Sequence, residues 1–291
     1  MSRRVVVLGD VMLDVVVRQL APLAPTSDTP SSIRVGRGGS GASVALAIAL
    51  DAHHVTYVGA AGIDPAADMV RDTMERGGVA TRFEQCDAAT GTVVSMVGAD
   101  GQRSMLTDRG ANSLLSESFV VGELAGPFDH LHLSGYLLLD PSTRAVAASA
   151  LAYATSRGAT TSIDVCSVAP LIDVTPRVFL ETATGATYLF ANEEEALVLT
   201  ARENVGDALE FLADRFDEVM ITRGREGALV ARGEDRYDVR ARQVAVLDTT
   251  GAGDAATGAY LGARLDARDI ESAMERAMAQ GARVVGDLGA N

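Results

Sequence analysis

Short, continuously apolar runs alternate with alanine-rich helical stretches along most of this 291-residue chain. The candidate strands are Val5–Leu8, Val55–Val58, Leu131–Ser134, Thr161–Asp164, Tyr188–Ala191, Val219–Thr222 and Leu229–Ala231. Helical patterns fall between them at Ala42–Leu50, Ala66–Glu75, Thr143–Arg157, Asp207–Arg215 and Gly253–Leu265. A strand that is apolar on both faces must be covered on both faces, and strands joined through helices run parallel. The pattern therefore predicts an α/β domain with a mainly parallel sheet between two helical layers. With 47% of its residues hydrophobic, the chain can bury the core of one large domain, with or without a smaller appendage.

Two regions break the rhythm. Val15–Val17 and Ile33–Val35 flank a loop rich in Pro, Ser and Thr. Thr92–Gly98 and Arg103–Thr107 flank Ala99-Asp100-Gly101, whose Asp-Gly pair is a hairpin signal. These segments predict a small β-sheet projecting from the body, built from about 12–37 and 90–112. Such a sheet suits a lid over a cleft and suits a homodimer interface equally well.

Composition removes several functions. A formal charge of −14 argues against a nucleic-acid partner, which demands a basic face. All 25 basic residues are arginine. A P-loop, whose lysine reaches the phosphates, and Schiff-base chemistry are both excluded. Cys86 and Cys166 lack metal or redox spacing and read as free thiols. No apolar run approaches the ~20 residues of a membrane span. The N-terminus passes from Arg4 straight into Val5–Leu8, as a first buried strand does and a secretory leader does not. A cytoplasmic protein is expected.

Chemistry concentrates at Asp248-Thr249-Thr250-Gly251-Ala252-Gly253-Asp254, after the apolar run Val244–Leu247 and before the small-residue helix pattern. A strand feeding a glycine turn that opens a helix presents free N–H groups and the positive end of the helix dipole. That arrangement binds phosphate without a charged side chain. Asp254, in the first turn, is placed to take a proton from a hydroxyl attacking a phosphoryl group. The plainer alternative is an ordinary acid-capped helix.

This segment resembles the C-terminal signature of the ribokinase-like (PfkB) carbohydrate kinases. The resemblance implies a three-layer α/β/α sandwich with a β-sheet lid. It also implies that Asp254 is the catalytic base and that Gly251, Ala252 and Gly253 form an anion hole. It extends in order from Gly9 to Gly289. Asp14, after the first strand, matches the sugar-binding Asp. Gly38, Gly39 and Ser43 lie in Gly38-Gly39-Ser40-Gly41-Ala42-Ser43, which matches the sugar-binding glycine turn. Ser43 departs from the family's Asn, and one hydroxyl cannot make an amide's paired contacts. Asp51 stands where the family has Gly, which reads as a local loop change. Arg109-Gly110-Ala111-Asn112 bounds the second lid hairpin, with Asn112 placed to reach substrate hydroxyls and Arg109 either near phosphate or on the surface.

Asn192-Glu193-Glu194-Glu195 opens a helix and matches the family's N-x-x-E motif, which implies water-mediated support of Mg²⁺ by Glu195 and phosphate contact by Asn192. Thr222, Gly224 and Gly227 match T-x-G-x-x-G, which contacts ATP. Asp248 and Thr250 resemble a monovalent-cation loop, leaving room for K⁺. Gly36-x-Gly38-x-x-Gly41 reads literally as a dinucleotide fingerprint, but it does not follow the first strand and no acid closes the next one. His130 and His132 alternate on a strand without a third ligand.

The expectation is an ATP-dependent kinase that phosphorylates a hydroxyl of a small carbohydrate. A nucleoside or vitamin kinase on the same fold is the nearest rival. A nicotinamide-dependent dehydrogenase and a catalytically silent sugar-binding protein stand further off.

Overall fold

The computed structural model describes residues 2–98, 103–242 and 251–286. The chain starts with β1 (Arg4–Leu8), leaves the body for β2 (Met12–Gln19) and β3 (Ser31–Gly38), and returns through α1 (Ser40–Ala49) to β4 (His54–Gly62). Helix α2 (Pro65–Arg76) leads to β5 (Val79–Cys86). A second excursion forms β6 (Gly91–Val97) and β7 (Arg103–Asp108), ending in a 3-10 turn at Gly110–Leu114. Helix α3 (Glu117–Glu123) precedes β8 (His130–Ser134). Helices α4 (Tyr136–Leu139) and α5 (Arg144–Ser156) precede β9 (Thr160–Asp164). Helices α6 (Val168–Val174) and α7 (Pro176–Thr182) precede β10 (Tyr188–Asn192). Helices α8 (Glu193–Thr200) and α9 (Val205–Ala213) precede β11 (Glu218–Thr222). The antiparallel β12 (Ala228–Arg232) and β13 (Asp235–Val239) follow, then α10 (Ala252–Leu265) and α11 (Ile270–Gly286).

The main sheet has the order β13-β12-β11-β10-β9-β8-β1-β4-β5, parallel from β11 to β5. Strand β1 shows how it makes three layers. Val5 and Val7 join the apolar cluster of α1, α2, α10 and α11, whereas Val6 and Leu8 join that of α3 through α9. Alternate side chains of one strand thus bury against opposite helical layers. The chain runs outward from β1 to β4 on one side and later to β8 on the other. Polar groups at the carboxyl ends of β1 and β8 therefore flank a topological switch point, where α/β sheets bind ligands.

The second sheet, β3-β2-β6-β7, contains the four segments that broke the sequence rhythm. Its register pairs Val35 with Val15, Val15 with Val94 and Val94 with Leu106 on one face. Asp14 aligns with Val93, and Val93 with Thr107, on the other. Period-two alternation gives the sheet an apolar face and a face that looks into the cleft.

Helices α1 and α10 pack without a gap because Gly258 carries no side chain. A Cβ there would sit 2.5 Å from the Cβ of Ala47 and 2.6 Å from the oxygen of Val44. Among the described residues, two strands escaped prediction. β5 alternates buried and exposed residues at one edge, and β13 is polar at the other. Asp51 is no casual loop change, since its side chain is buried in an ion pair with Arg276 of α11. The expected strand Val244–Leu247, the Asp100-Gly101 turn and Gly289 lie outside the described residues.

Candidate active site

Gly251 starts α10 in the left-handed conformation, and Ala252, Gly253 and Asp254 make the first helical turn. Early N–H groups of a helix have no partner within it, so this end can receive an anion. It opens on a cavity of about 680 Å³ at the switch point. Gly251, Gly253, Asp254, Asp164, Asn192 and Glu195 line one side, and Asp14, Arg37, Gly38, Gly39 and Ser43 line another. A shallower pocket lies against it, walled by Asn192, Glu193, Glu194, Thr222, Arg223 and Gly224. Asn192 and Thr222 line both spaces, which run together.

The glycine turn at β3 is shaped by need. Gly39 has φ of 92°, and a Cβ on it would lie 2.7 Å from the oxygen of Asp10. No side chain fits there, and α1 begins one residue on. Ser40, the first residue of that helix, donates its hydroxyl to Asp254 Oδ1 at 2.7 Å. Burial raises the pKa of Asp254, while the Ser40 hydrogen bond and the Arg37 charge pull it back. Asp164 ends β9 and accepts from Thr257 Oγ1 and from the Cys166 N–H. Burial, then the charges of Glu195 and Asp254, hold its pKa well above the usual carboxylate range. Burial, with the charges of Asp254 and Glu194, lifts Glu195 to about 7 against its hydrogen bonds with Asn192.

Asn192 and Glu195 form a reciprocal capping box. Asn192 Oδ1 accepts from the Glu195 N–H, and Glu195 Oε2 accepts from the Asn192 N–H, each at 2.8 Å. This box fixes the carboxylate of Glu195 against the cavity wall. At another part of the wall Arg109 bridges Asp10 at 2.9 Å and Asp140 at 2.7 Å. Burial raises Asp10 to about 6 despite the Arg109 charge.

The placement of the expected residues is uneven. Asn112 is buried and does not reach the cavity. Its carboxamide oxygen accepts from the Val11 N–H at 2.7 Å, and its nitrogen donates to the oxygens of Val11 and Arg109. Expected to touch substrate hydroxyls, Asn112 instead clamps the segment before β2, because the backbone takes its whole amide. Arg109 is not a solvated surface residue: it lines the cavity, held by its two acids. Gly227 lines neither of these two pockets; its φ of 101° closes the turn into β12, with the Arg223 N–H bonded to its oxygen. Asp248 and Thr250 lie outside the described residues.

Other wall groups escaped the sequence reading: Arg37, Ser40, Asp140, Asp164 and Cys166. For Asp164 a signal existed, since it is an acid at the carboxyl end of a parallel strand. His130 and His132 are fully buried and share Ser162 Oγ at 2.8 Å, so they belong to packing and not to this site.

A backbone anion site with an acid in the same helical turn, in a chain with no lysine, is the equipment of a phosphotransferase that acts on an alcohol without a P-loop. Comparison with known proteins takes this further. The chain belongs to the pfkB family of carbohydrate kinases, whose family model matches residues 2–291. It is 31% identical over 294 residues to the ATP-dependent ribose-1-phosphate kinase of Halopiger xanaduensis, covering 99% of this chain and 93% of that one. The adenosine kinase structure from Sinorhizobium meliloti superposes with a TM-score of 0.88 at 23% identity, over 99% of this chain and 95% of that one. Arabidopsis thaliana ribokinase complexed with ribose and ATP gives a TM-score of 0.81 at 22% identity, over 100% and 95%. These likenesses carry the three-layer fold with its smaller second sheet. Among the described residues, no helix is long and apolar enough to cross a membrane.

Proposed function

We propose that this kinase transfers the γ-phosphoryl group of ATP to a hydroxyl of a small sugar, with Asp254 as the base. The observation that carries the reading is the position of Asp254. Its carboxyl lies in the same first turn as the Gly251-Ala252-Gly253 anion site and lines the cavity shared with Asp14, Gly38, Gly39 and Ser43. A sugar on that second wall presents its hydroxyl to the acid, and a phosphoryl group at the helix terminus meets backbone N–H groups. Burial keeps Asp254 basic enough to accept a proton, and Ser40 fixes the direction of its carboxylate. The pocket of Asn192, Thr222 and Gly224 receives the nucleotide beside it.

The wall suits Mg²⁺ held through water. Beside burial, the charges of Glu195 and Asp254 raise the pKa of Asp164, the charge of Asp254 raises that of Glu195, and a cation in the same cavity supplies the countercharge. Among the described residues no group of three or more His, Cys, Asp or Glu side chains is placed to hold a metal ion, and Mg²⁺ commonly keeps several waters. Glu195 and Asp164 would accept from those waters, and the bound ion would neutralise β- and γ-phosphate charge. Asp248 and Thr250 are the candidates for K⁺.

The second sheet supports a homodimer. Ile33, Val35 and Leu106 are exposed on its apolar face, in register with Val15, Val17 and Val94. A second copy of this face is the matching partner, and sedimentation velocity on Val35→Arg tests it. A cytoplasmic location remains the expectation for an enzyme that consumes ATP. ADP release across a panel of sugars, sugar phosphates and nucleosides tests the main reading. Turnover confined to nucleosides would replace it with the nucleoside-kinase alternative.

A further inference from the structure

The acceptor wall contains a cation that a neutral sugar does not call for. Arg37 lies on β3 beside Gly38 and Gly39 and is 6% exposed, yet its side chain lines the cavity. Among the described residues it makes one hydrogen bond, from Nη1 to Ser43 Oγ at 2.7 Å. Among those residues it enters no ion pair, and its buried Nε has no partner. The other well-buried guanidiniums are matched. Arg109 holds Asp10 and Asp140, and Arg264 holds Glu218 through two nitrogens. Burial lowers the pKa of Arg37, and the more distant charges of Asp254, Tyr57 and Asp14 offset it in part. Withdrawing a guanidinium from water without a carboxylate in contact is costly, and an anionic ligand reverses that cost.

Its neighbours say which anion. Arg37 lines the cavity with Asp14, Gly38, Gly39 and Ser43 and does not line the adjoining shallower pocket of Glu193, Arg223 and Gly224 where the nucleotide is placed. The hydroxyl of Ser43 is already turned to the guanidinium and to the oxygen of Gly39. Ser43 therefore props Arg37 on this wall. The forked guanidinium matches phosphate oxygens in a way that no single hydroxyl does.

We propose that the acceptor is a phosphorylated sugar whose existing phosphate, remote from the reacting hydroxyl, is held by Arg37. The proposal rests on the kinase reading above. In the reaction the acceptor oxygen bonds to the γ-phosphorus, the bond from that phosphorus to the ADP oxygen breaks, and the hydroxyl proton passes to Asp254. The products are a sugar bisphosphate and ADP. The name of the Halopiger xanaduensis relative is in keeping with an acceptor of this class.

The test compares ribose with ribose 1-phosphate, and fructose with fructose 6-phosphate, by initial rates of ADP release with ATP and Mg²⁺. Wild-type protein should prefer the phosphorylated member of at least one pair by on the order of 100-fold in kcat/KM. Arg37→Gln should erase most of that preference, mainly by raising KM for the sugar phosphate, and Arg37→Lys should recover part of it. A wild-type preference for the neutral sugars would overturn the proposal without any variant, so a folding defect in Arg37→Gln cannot protect it. Equal loss of kcat on both members of a pair would also overturn it, since Arg37 would then serve the transferred phosphoryl group. No ADP release with any acceptor would instead remove the kinase reading, and this proposal with it.

Discussion

Ser40 Oγ donates to Asp254 Oδ1 at 2.7 Å, across 214 residues of sequence. The contact joins the first turn of α1, on the acceptor wall, to the first turn of α10, on the phosphate side. It acts on the base by opposing the rise in pKa that burial imposes. Ser40→Ala should lower kcat about 10-fold. The acid limb of kcat/KM should move to higher pH, because the ionised form of Asp254 loses a donor. A pH-rate profile checks this, and an unmoved acid limb would show the hydroxyl to be irrelevant to the base.

Glu218 anchors the far end of the same helix. Its carboxylate accepts from Tyr260 Oη at 2.6 Å and from Arg264 at 2.8 and 2.9 Å, and it is 3% exposed. Glu218→Ala would leave Arg264 buried without its acid. The expected loss is about 3 kcal/mol of stability, measured by urea unfolding. A loss below about 1 kcal/mol would mean that the guanidinium finds water instead.

Asn112 separates a positioning role from a direct one. Its amide is spent on the backbone of Val11 and Arg109, so Asn112→Ala should unfold at a lower temperature and cost about 2 kcal/mol. Activity per folded molecule should change less than stability does. A large rise in acceptor KM at unchanged stability would restore the expectation of substrate contact.

His130 and His132 make stability depend on pH. Burial lowers both to about 3, with the two rings opposing each other's charge at His130. Unfolded, they titrate near 6.5, so below that pH the unfolded chain binds more protons than the folded one. Stability is complete above about pH 6.5 and falls as the pH drops toward 3, by up to about 1.4 kcal/mol per pH unit for each ring. His132→Gln should flatten that slope in urea unfolding between pH 6.5 and 4.5, and an unchanged slope would place the lost protons elsewhere.

Much of the fold was legible because buried parallel strands write themselves as apolar runs. β1, β8 and β11 were marked by Val5–Leu8, Leu131–Ser134 and Val219–Thr222. The polar edge strand β13 carries no such mark, since only pairing with β12 makes it a strand. At the site, whatever is contiguous in sequence could be seen, including the glycine turn with Asp254 and the Asn192–Glu195 box. Ser40 meeting Asp254, Arg109 bridging Asp10 and Asp140, and Arg37 resting on Ser43 are encounters created by packing. Asn112 misled for the same reason: an amide near a lid suggests a ligand until the backbone that consumes it is in view.

The central claim is that Asp254 takes the acceptor proton. The most direct measurement is ADP release by Asp254→Asn beside wild type, on an acceptor the wild type uses, with ATP binding followed separately. The asparagine keeps the shape and cannot accept the proton. Turnover should fall by about 100- to 10,000-fold, the range a positioned general base supplies, while ATP binding stays near the wild-type value. Turnover close to wild type in a variant that still binds ATP would contradict the account at its centre.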